Sequence, residues 1–161
     1  MSDFAASWQL SRQRLIDEVS DLNQEQLNWK IHPNSLSIAE GLMHVAGVEV
    51  SFATQLMDTR LDEYTTRLKT AATDGVVNER VFPYSAEEMT LEFILQALEV
   101  SKSLVEPVIT SPTETILKKE MVSALGPVIT GYGALTRLGF HSAYHQGQSH
   151  MIRTAPGFPV A

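Results

Sequence analysis

Polar and apolar residues alternate along most of the chain with the period of an α-helix. Apolar side chains recur at three- and four-residue steps, the spacing that places them on one helical face. The first such segment covers residues 3–22, and its apolar positions are Phe4, Trp8, Leu15, Val19 and Leu22. This pattern predicts a first amphipathic helix.

The predicted second helix follows an interruption at Pro33 and Asn34. Ser37 and Glu40 form a capping box, in which each side chain bonds the main-chain N–H of the other residue, and this predicts where the helix starts. The apolar face of this helix consists of Ile38, Leu42, Val45, Phe52 and Leu56.

A polar stretch around Asp74-Gly75 comes next and is predicted to be a loop. Ser85 and Glu88 form a second capping box, which predicts the start of a third helix. Its apolar face consists of Met89, Phe93, Ala97, Val100 and Leu104. Pro107 is expected to end this helix, because proline cannot donate the main-chain hydrogen bond.

The pattern in residues 108–130 is the least clear, and it is compatible with a short helix or with a strand before Gly126-Pro127 closes the segment. The last helix is predicted to begin between Thr130 and Gly133 and to run to about Arg153, before a segment rich in proline and glycine.

Four helices of about 20 residues each predict an all-α protein, a four-helix bundle in which residues 1–161 form one domain. The second and third connections are each about 25 residues long, whereas antiparallel neighbours in a bundle need only 2–8. Such a connection can run back along a helix of ~30 Å, so we expect one or both to be crossovers.

Composition narrows the possible functions. The chain of 161 residues has 43% hydrophobic residues and no cysteine, so it can bury a core but has no disulfide, thiolate ligand or cysteine nucleophile. The net charge of −7, with no cluster of Lys or Arg, argues against a nucleic-acid partner. No apolar run resembles a signal peptide or a membrane span, so a cytoplasmic protein without a membrane partner is expected.

The segment "GFHSAYHQGQSHMIR", residues 139–153, combines polar chemistry with a core-facing position. His141, His145 and Gln148 follow the helical spacing of Leu138 and Ile152, so all five share one stripe. At ~100° per residue, His150 lies on the opposite face of the helix and is not part of this set.

Two imidazoles at i and i+4 can converge on one metal ion. His44 on the second helix is the best candidate for a third ligand, and Gly41 and Gly47 beside it would leave space for a substrate or for another helix. His32 is expected to be a loop residue.

The spacing alone leaves a metal-free structure equally open. Buried histidines commonly have their nitrogens satisfied within the core, and Gln148 could bond a main-chain carbonyl instead of orienting a ligand. Glu40 is expected to cap its helix first. It is also the only candidate near the motifs for a catalytic base, and Glu40 and Gln148 are both candidates for a partner that orients a metal ligand.

The remaining motifs restrict the chemistry. "HSAYH" has Ser142 where a zinc protease has the glutamate of H-E-x-x-H, and there is no phosphate loop, dinucleotide fingerprint or G-x-S-x-G elbow. Three neutral histidines would leave an open coordination position, as in catalytic zinc sites. Such an ion either activates water or binds and ionises an incoming thiol.

Two segments resemble the DinB/YfiT-like superfamily, whose members are described as metalloenzymes. These are "LNWKIHPNSLSIAEGLMHVAGVE" (residues 27–49) and "HSAYHQGQ" (residues 141–148). The family has a histidine late in a capped second helix, after a Trp and a loop rich in Pro and Ser. Near its C-terminus it has H-x-x-x-H-x-G-Q, commonly with Arg where this chain has Gln146.

The resemblance implies a four-helix bundle of unusual connectivity that holds a divalent ion, zinc or nickel, through His44, His141 and His145. Members often form dimers, so a homodimer is expected. Several members transfer a low-molecular-weight thiol of the bacillithiol, mycothiol or glutathione type to a small electrophilic molecule. Gln146 removes a positive charge that could hold an anionic thiol.

These observations make an S-transferase the preferred hypothesis. The substrate would supply the sulfur, because the chain has no cysteine. A metal-dependent hydrolase that uses metal-bound hydroxide is the alternative. A dimeric, non-catalytic binding module is the second alternative.

Overall fold

The computed structural model describes residues 2–160, and within them the fold is helical apart from one two-stranded hairpin. Four helices are long and three are short. In chain order the elements are α1 (Asp3–Val19), α2 (Gln24–Asn28), α3 (Ile38–Met57), α4 (Glu63–Thr70), α5 (Leu91–Thr110), α6 (Glu114–Lys118), β1 (Glu120–Val122), β2 (Val128–Thr130) and α7 (Gly131–Arg153). The predicted all-α bundle is confirmed, and its four helices are α1, α3, α5 and α7.

The four long helices surround a core in which α1 and α3 each pack against both α5 and α7. The start of α1 lies beside the end of α5, where Ser2 N–H donates to the Thr110 carbonyl over 3.1 Å. The start of α1 also meets the start of α7, because the rings of Phe4 and Tyr132 lie 5.2 Å apart. Helices α1 and α7 therefore run parallel to each other and antiparallel to α5.

Helix α3 runs antiparallel to α7, since Leu56 near the end of α3 adjoins Gly131 at the start of α7. Consequently α3 and α5 point the same way, and residues 58–90 between them run back along the bundle. This second connection is the crossover that the sequence predicted. The third connection, residues 111–130, joins the end of α5 to the start of α7 at one end of the bundle, so it is not a crossover.

The second connection is not the plain loop that its polar sequence predicted. It contains α4, whose start is capped by Asp62 and which packs against α3. Two smaller corrections concern the N-terminal third. Helix α1 ends at Val19 and not near Leu22, and the short helix α2 begins after a capping box at Asn23.

The third long helix begins later and ends later than predicted. Only half of the predicted Ser85–Glu88 box forms, and it closes a single turn: the Glu88 carboxylate accepts a hydrogen bond from Ser85 N–H and also binds Arg67 of α4, whereas Glu88 N–H donates to the Ser85 main-chain oxygen. Helix α5 instead starts after Thr90. Pro107 lies inside α5. The helix continues to Thr110 because the last turn buries Val105, Val108 and Ile109 in the core.

The buried face of α5 is also rotated from the predicted one. Ala97 is buried as expected, but Phe93, Val100 and Leu104 are only half-buried at its edge. The centre of the buried face is formed by Ile94, Leu98, Ser101 and Val105.

Residues 108–130 contain both a short helix and strands, the two alternatives that the sequence left open: α6 is followed by the β1–β2 hairpin. Gly126 takes a positive φ of 97° in the turn of this hairpin. Thr130 then caps α7 by accepting a hydrogen bond from Gly133 N–H over 3.3 Å, so the helix starts within the predicted range. None of the helices described here combines the length and the hydrophobicity needed to cross a membrane.

Candidate metal site

Three histidines from two helices meet in the interior of the bundle. His44 lies in the middle of α3, and His141 and His145 lie on successive turns of α7. One ring nitrogen from each lies within 4.8 Å of the other two, and the Nε2 atoms of His141 and His145 are 3.2 Å apart. His44 and His145 are 6% and 5% exposed, and His141 is half-buried.

The orientation of His44 depends on the crossover connection. Its Nδ1 lies 3.0 Å from the main-chain oxygen of Ala71, which ends α4. A carbonyl oxygen can only accept a hydrogen bond, so Nδ1 carries the proton and Nε2 keeps a free lone pair. A metal-binding histidine typically has this arrangement, with one nitrogen donating to a carbonyl and the other left for the ion.

Gly47 allows α4 to approach α3 closely enough for this contact. A Cβ atom at position 47 would lie 2.6 Å from Ala72 N and 2.7 Å from the Leu68 oxygen. The sequence left open whether the two glycines make space for a substrate or for another helix. Gly47 makes space for another helix, α4. Gly41 faces the His145 ring, and a Cβ there would be in ordinary contact at 3.6 Å.

Burial keeps the three imidazoles neutral. Desolvation, with the neighbouring His145 and His44, lowers the pKa of His141 to about 2. Desolvation and His44 lower the pKa of His145 to about 3, an effect that the adjacent Gln148 amide opposes. Burial also lowers the pKa of His44, against the opposing effect of the Ala71 carbonyl. At neutral pH the site therefore offers neutral imidazoles, the form that binds a metal ion.

The cluster fits a divalent ion in two respects. With Zn–N bonds of 2.0–2.1 Å, two ligands in a tetrahedral site are about 3.3 Å apart, close to the observed 3.2 Å between the two Nε2 atoms. Imidazole ligands suit zinc, copper, iron and nickel.

Two cavities border the cluster from different sides. The wide cavity, of about 660 Å³, is lined by His145 together with Ser37, Gly41, Tyr144 and Gln148. The narrow cavity, of about 350 Å³, is lined by His44 and His141 and extends between α3, α7 and the β1–β2 hairpin. The three histidines thus stand between two spaces that could each hold a small molecule.

Both carboxylate oxygens of Glu40 are bound by residues outside the histidine cluster. One lies 2.8 Å from Lys30 Nζ, and the other accepts a hydrogen bond from Ser37 N–H over 2.8 Å, as the predicted capping box requires. Among residues 2–160, the group of metal-binding side chains that converge at this site contains no carboxylate.

The other candidate residues lie at different distances from the cluster. Gln148 is exposed and lines the wide cavity beside His145, and the loop residue His32 lines the same cavity further out. His150 is exposed on the opposite side of α7, as predicted, where its Nδ1 lies 3.1 Å from a Glu18 oxygen of α1.

Sequence reasoning overlooked two polar residues of the narrow cavity, Arg137 and Ser123. The position of Arg137, one turn before His141 on the same face, was a usable signal. Ser123 carried no signal, because its place depends on how the hairpin folds over the bundle.

Comparison with curated proteins and with solved structures finds no match. A family model described as the DinB superfamily matches residues 7–149, a span that includes most of α1, all of α3 and α5, and most of α7 with His141 and His145. The helical architecture and the position of the histidines agree with the resemblance seen in the sequence. The chain belongs to the DinB superfamily.

Proposed function

We propose that this protein binds a zinc or nickel ion through His44, His141 and His145 and transfers a low-molecular-weight thiol to a small electrophile. The observation that carries this proposal is the position of the three neutral histidines between two cavities. A transfer reaction needs two substrates close to one centre, and each cavity offers a space for one of them. The thiol would be of the bacillithiol, mycothiol or glutathione type.

A bound divalent ion would supply positive charge that favours the thiolate form of an incoming thiol. The protein supplies the rest of the arrangement. The Ala71 carbonyl holds the His44 ring so that Nε2 is available, and burial prevents the imidazoles from becoming protonated. In the transfer, the sulfur forms a bond to a carbon of the electrophile, a leaving group departs with its bonding electrons, and the thiol proton passes to water.

Metal analysis of the purified protein is the first test. Wild type, His145→Ala and His150→Ala are compared by inductively coupled plasma mass spectrometry after incubation with zinc or nickel. We expect about one ion per chain in wild type and in His150→Ala, since His150 is an exposed histidine of the same helix, and loss of the ion in His145→Ala. Wild-type protein without bound metal would refute the proposed ligand set.

Thiol consumption tests the reaction itself. Metal-loaded wild type is incubated with bacillithiol, mycothiol or glutathione and a model electrophile such as 1-chloro-2,4-dinitrobenzene. Depletion of thiol that requires the ion and His145 supports the S-transferase. Ester hydrolysis that depends on the ion but not on thiol would favour the hydrolase instead, although the contacts of Glu40 leave that reaction without a free carboxylate base.

The proposal includes a homodimer. Four apolar side chains of α7 are each more than half exposed, and they lie within about 120° of one another around the helix. We name these residues the α7 stripe, which consists of Tyr132, Phe140, Tyr144 and Met151. Exposed apolar patches of this kind typically mark interaction surfaces, and we propose that a second copy of the chain covers this one. Because low-molecular-weight thiols are kept reduced in the cytosol, we also propose that the protein acts in the cytoplasm.

A further inference from the structure

The narrow cavity has an apolar body and a single charged residue. Phe52, Phe140 and Leu125 supply much of its apolar wall, and Arg137 supplies the charge. Within residues 2–160, no acidic side chain lines it. Arg137 therefore gives a largely apolar cavity a positive charge.

Arg137 lacks a partner of opposite charge. It is half-buried, and among the residues described here no carboxylate lies within 4.0 Å of it and no acceptor takes a hydrogen bond from its guanidinium group. The other two arginines of comparable or deeper burial behave differently: Arg12 pairs with Glu49 and Arg153 pairs with Asp21. A partly buried guanidinium without a counter-ion favours an anion brought by a ligand.

Ser123 is a second, independent sign of a ligand in this cavity. The residue is 3% exposed, and its Oγ is buried without a hydrogen-bond partner within residues 2–160. Buried hydroxyl groups almost always have a partner, so an exception needs a reason. The unpartnered His141 Nδ1 belongs to a residue that borders the same cavity.

We infer that the narrow cavity binds a small carboxylic acid with an apolar body, whose carboxylate lies against Arg137 and Ser123. The planar guanidinium group matches a carboxylate through two parallel hydrogen bonds. A single cation in an apolar setting suits a singly charged carboxylate better than a phosphate, which carries more charge and needs more donors. The hydrocarbon part of the acid packs against Phe52, Phe140 and Leu125.

The assignment concerns the second substrate of the proposed transfer. That the acid is a substrate rests on the proposed function, because the cavity reaches His44 and His141. That the cavity binds the acid does not require the ion. Measuring the affinity for the acid in metal-free protein therefore tests binding separately from the proposed reaction.

Isothermal titration calorimetry with 3-phenylpropanoate and its neutral counterpart 3-phenylpropanamide tests the inference. Both are titrated into metal-free and zinc-loaded wild type. We expect the acid to bind at least about tenfold more tightly than the amide in both forms, because a hydrogen bond to a charged group is worth about that much. The metal-free measurement excludes direct binding of the carboxylate to zinc.

Two variants locate the contact. Arg137→Gln is expected to remove the preference for the acid in metal-free protein while changing the affinity for the amide less than about twofold. Arg14→Gln is the matched control, because Arg14 is exposed on α1 and has no ion pair among the described residues, and it should leave both affinities unchanged. Ser123→Ala should weaken acid binding without lowering the unfolding temperature of the free protein, since it removes an unsatisfied hydroxyl.

Equal affinity for acid and amide in metal-free protein, or a preference that survives Arg137→Gln, would overturn the inference. Absence of binding by either compound would overturn it as well. A preference for the acid that depends on Arg137 supports the binding site even where thiol transfer fails. Conversely, metal binding and thiol transfer without that preference would refute this inference alone.

Discussion

The Nδ1 atom of His44 lies 3.0 Å from the main-chain oxygen of Ala71, so the crossover connection orients a side chain at the centre of the bundle. Ala71 ends α4, and α4 lies against α3 only because Gly47 has no side chain. The long connection is thus part of the candidate metal site and not only a link between helices. Altering the packing of α4 should affect metal binding without touching a histidine.

Gly47→Ala tests this relationship. The added methyl group would clash with the main chain at Leu68 and Ala72, so α4 must move and the Ala71 carbonyl with it. We expect the free energy of unfolding to fall by about 1–3 kcal/mol and the affinity for zinc to fall as well. Urea denaturation and a competition titration with a zinc chelator measure the two effects.

Gly147→Ala is the matched control for that variant. Gly147 lies in α7 with nothing within 4 Å of an added Cβ, so alanine should stabilise the protein by up to about 1 kcal/mol. If Gly47→Ala were as stable as Gly147→Ala, the close approach of α4 would have no energetic importance.

The stability of the metal-free protein should decrease as pH falls below neutrality. The folded state holds His141 and His145 neutral with pKa values of about 2 and about 3, whereas the unfolded chain protonates them near 6.5. Between pH 6.5 and about 3 the unfolded state therefore binds more protons, and acidification favours it by up to about 1.4 kcal/mol per pH unit for each histidine. Above pH 6.5 both the folded and the unfolded state hold these histidines neutral, so this destabilisation is absent.

Urea denaturation of chelator-treated protein at pH 5, 6 and 7 measures the slope. The variant His141→Gln/His145→Gln lacks both titrating groups, and its stability should change less over this range than that of wild type. If stability depended on pH equally in the two proteins, the folded state would not lower the pKa of these two histidines.

A buried ion pair joins three of the long helices. Glu49 of α3, 1% exposed, accepts hydrogen bonds from Trp8 Nε1 over 2.7 Å and from Arg12 Nε over 3.2 Å, and Ser101 of α5 donates to its other oxygen. Arg12→Ala leaves the carboxylate buried without its counter-charge. We expect a loss of about 3–5 kcal/mol in the free energy of unfolding.

The double variant Arg12→Met/Glu49→Met should be more stable than Arg12→Ala, because it buries no unpaired charge. The exposed pair Glu99–Lys102 is the control, and its removal should change stability by less than about 1 kcal/mol. If Arg12→Ala cost no more than the exposed pair, water would have to reach the carboxylate.

The proposed dimer makes a prediction for the α7 stripe. Met151→Glu places a charge in an apolar interface and should convert a dimer into a monomer, which sedimentation velocity resolves by mass. Leu10→Glu changes an equally exposed apolar residue of α1 and should leave the dimer intact. A wild-type protein that stays monomeric at high concentration would contradict the proposal, and so would a dimer that survives Met151→Glu.

Helical periodicity and capping chemistry were sufficient to predict much of the fold. The start of α3 at the Ser37–Glu40 box and the start of α7 after Thr130 follow from side chains that bond the first turn of their own helix. The sharing of one face by His141 and His145 follows from the pitch of a single helix. These features were predictable because each depends on residues a few positions apart.

Predictions failed where a distant residue competes for a local signal. The Ser85–Glu88 box forms only in part and does not begin α5, and its Glu88 carboxylate is shared with Arg67 of α4. Pro107 does not end α5, since burial of Val108 and Ile109 favours one more turn. In both cases contacts with distant residues accompany the departure from a local preference worth about 1–3 kcal/mol.

The sequence by itself determined that the protein is helical, that α7 carries two histidines on its inner face, and that α3 carries a third. Only the tertiary structure decided that α3 runs antiparallel to α7, which brings His44 to the other two. It also decided that Ala71 orients His44 and that Arg137 and Ser123 share a cavity. Contacts of this kind depend on how separate elements pack, and the period of one helix carries no information about its distance from the next.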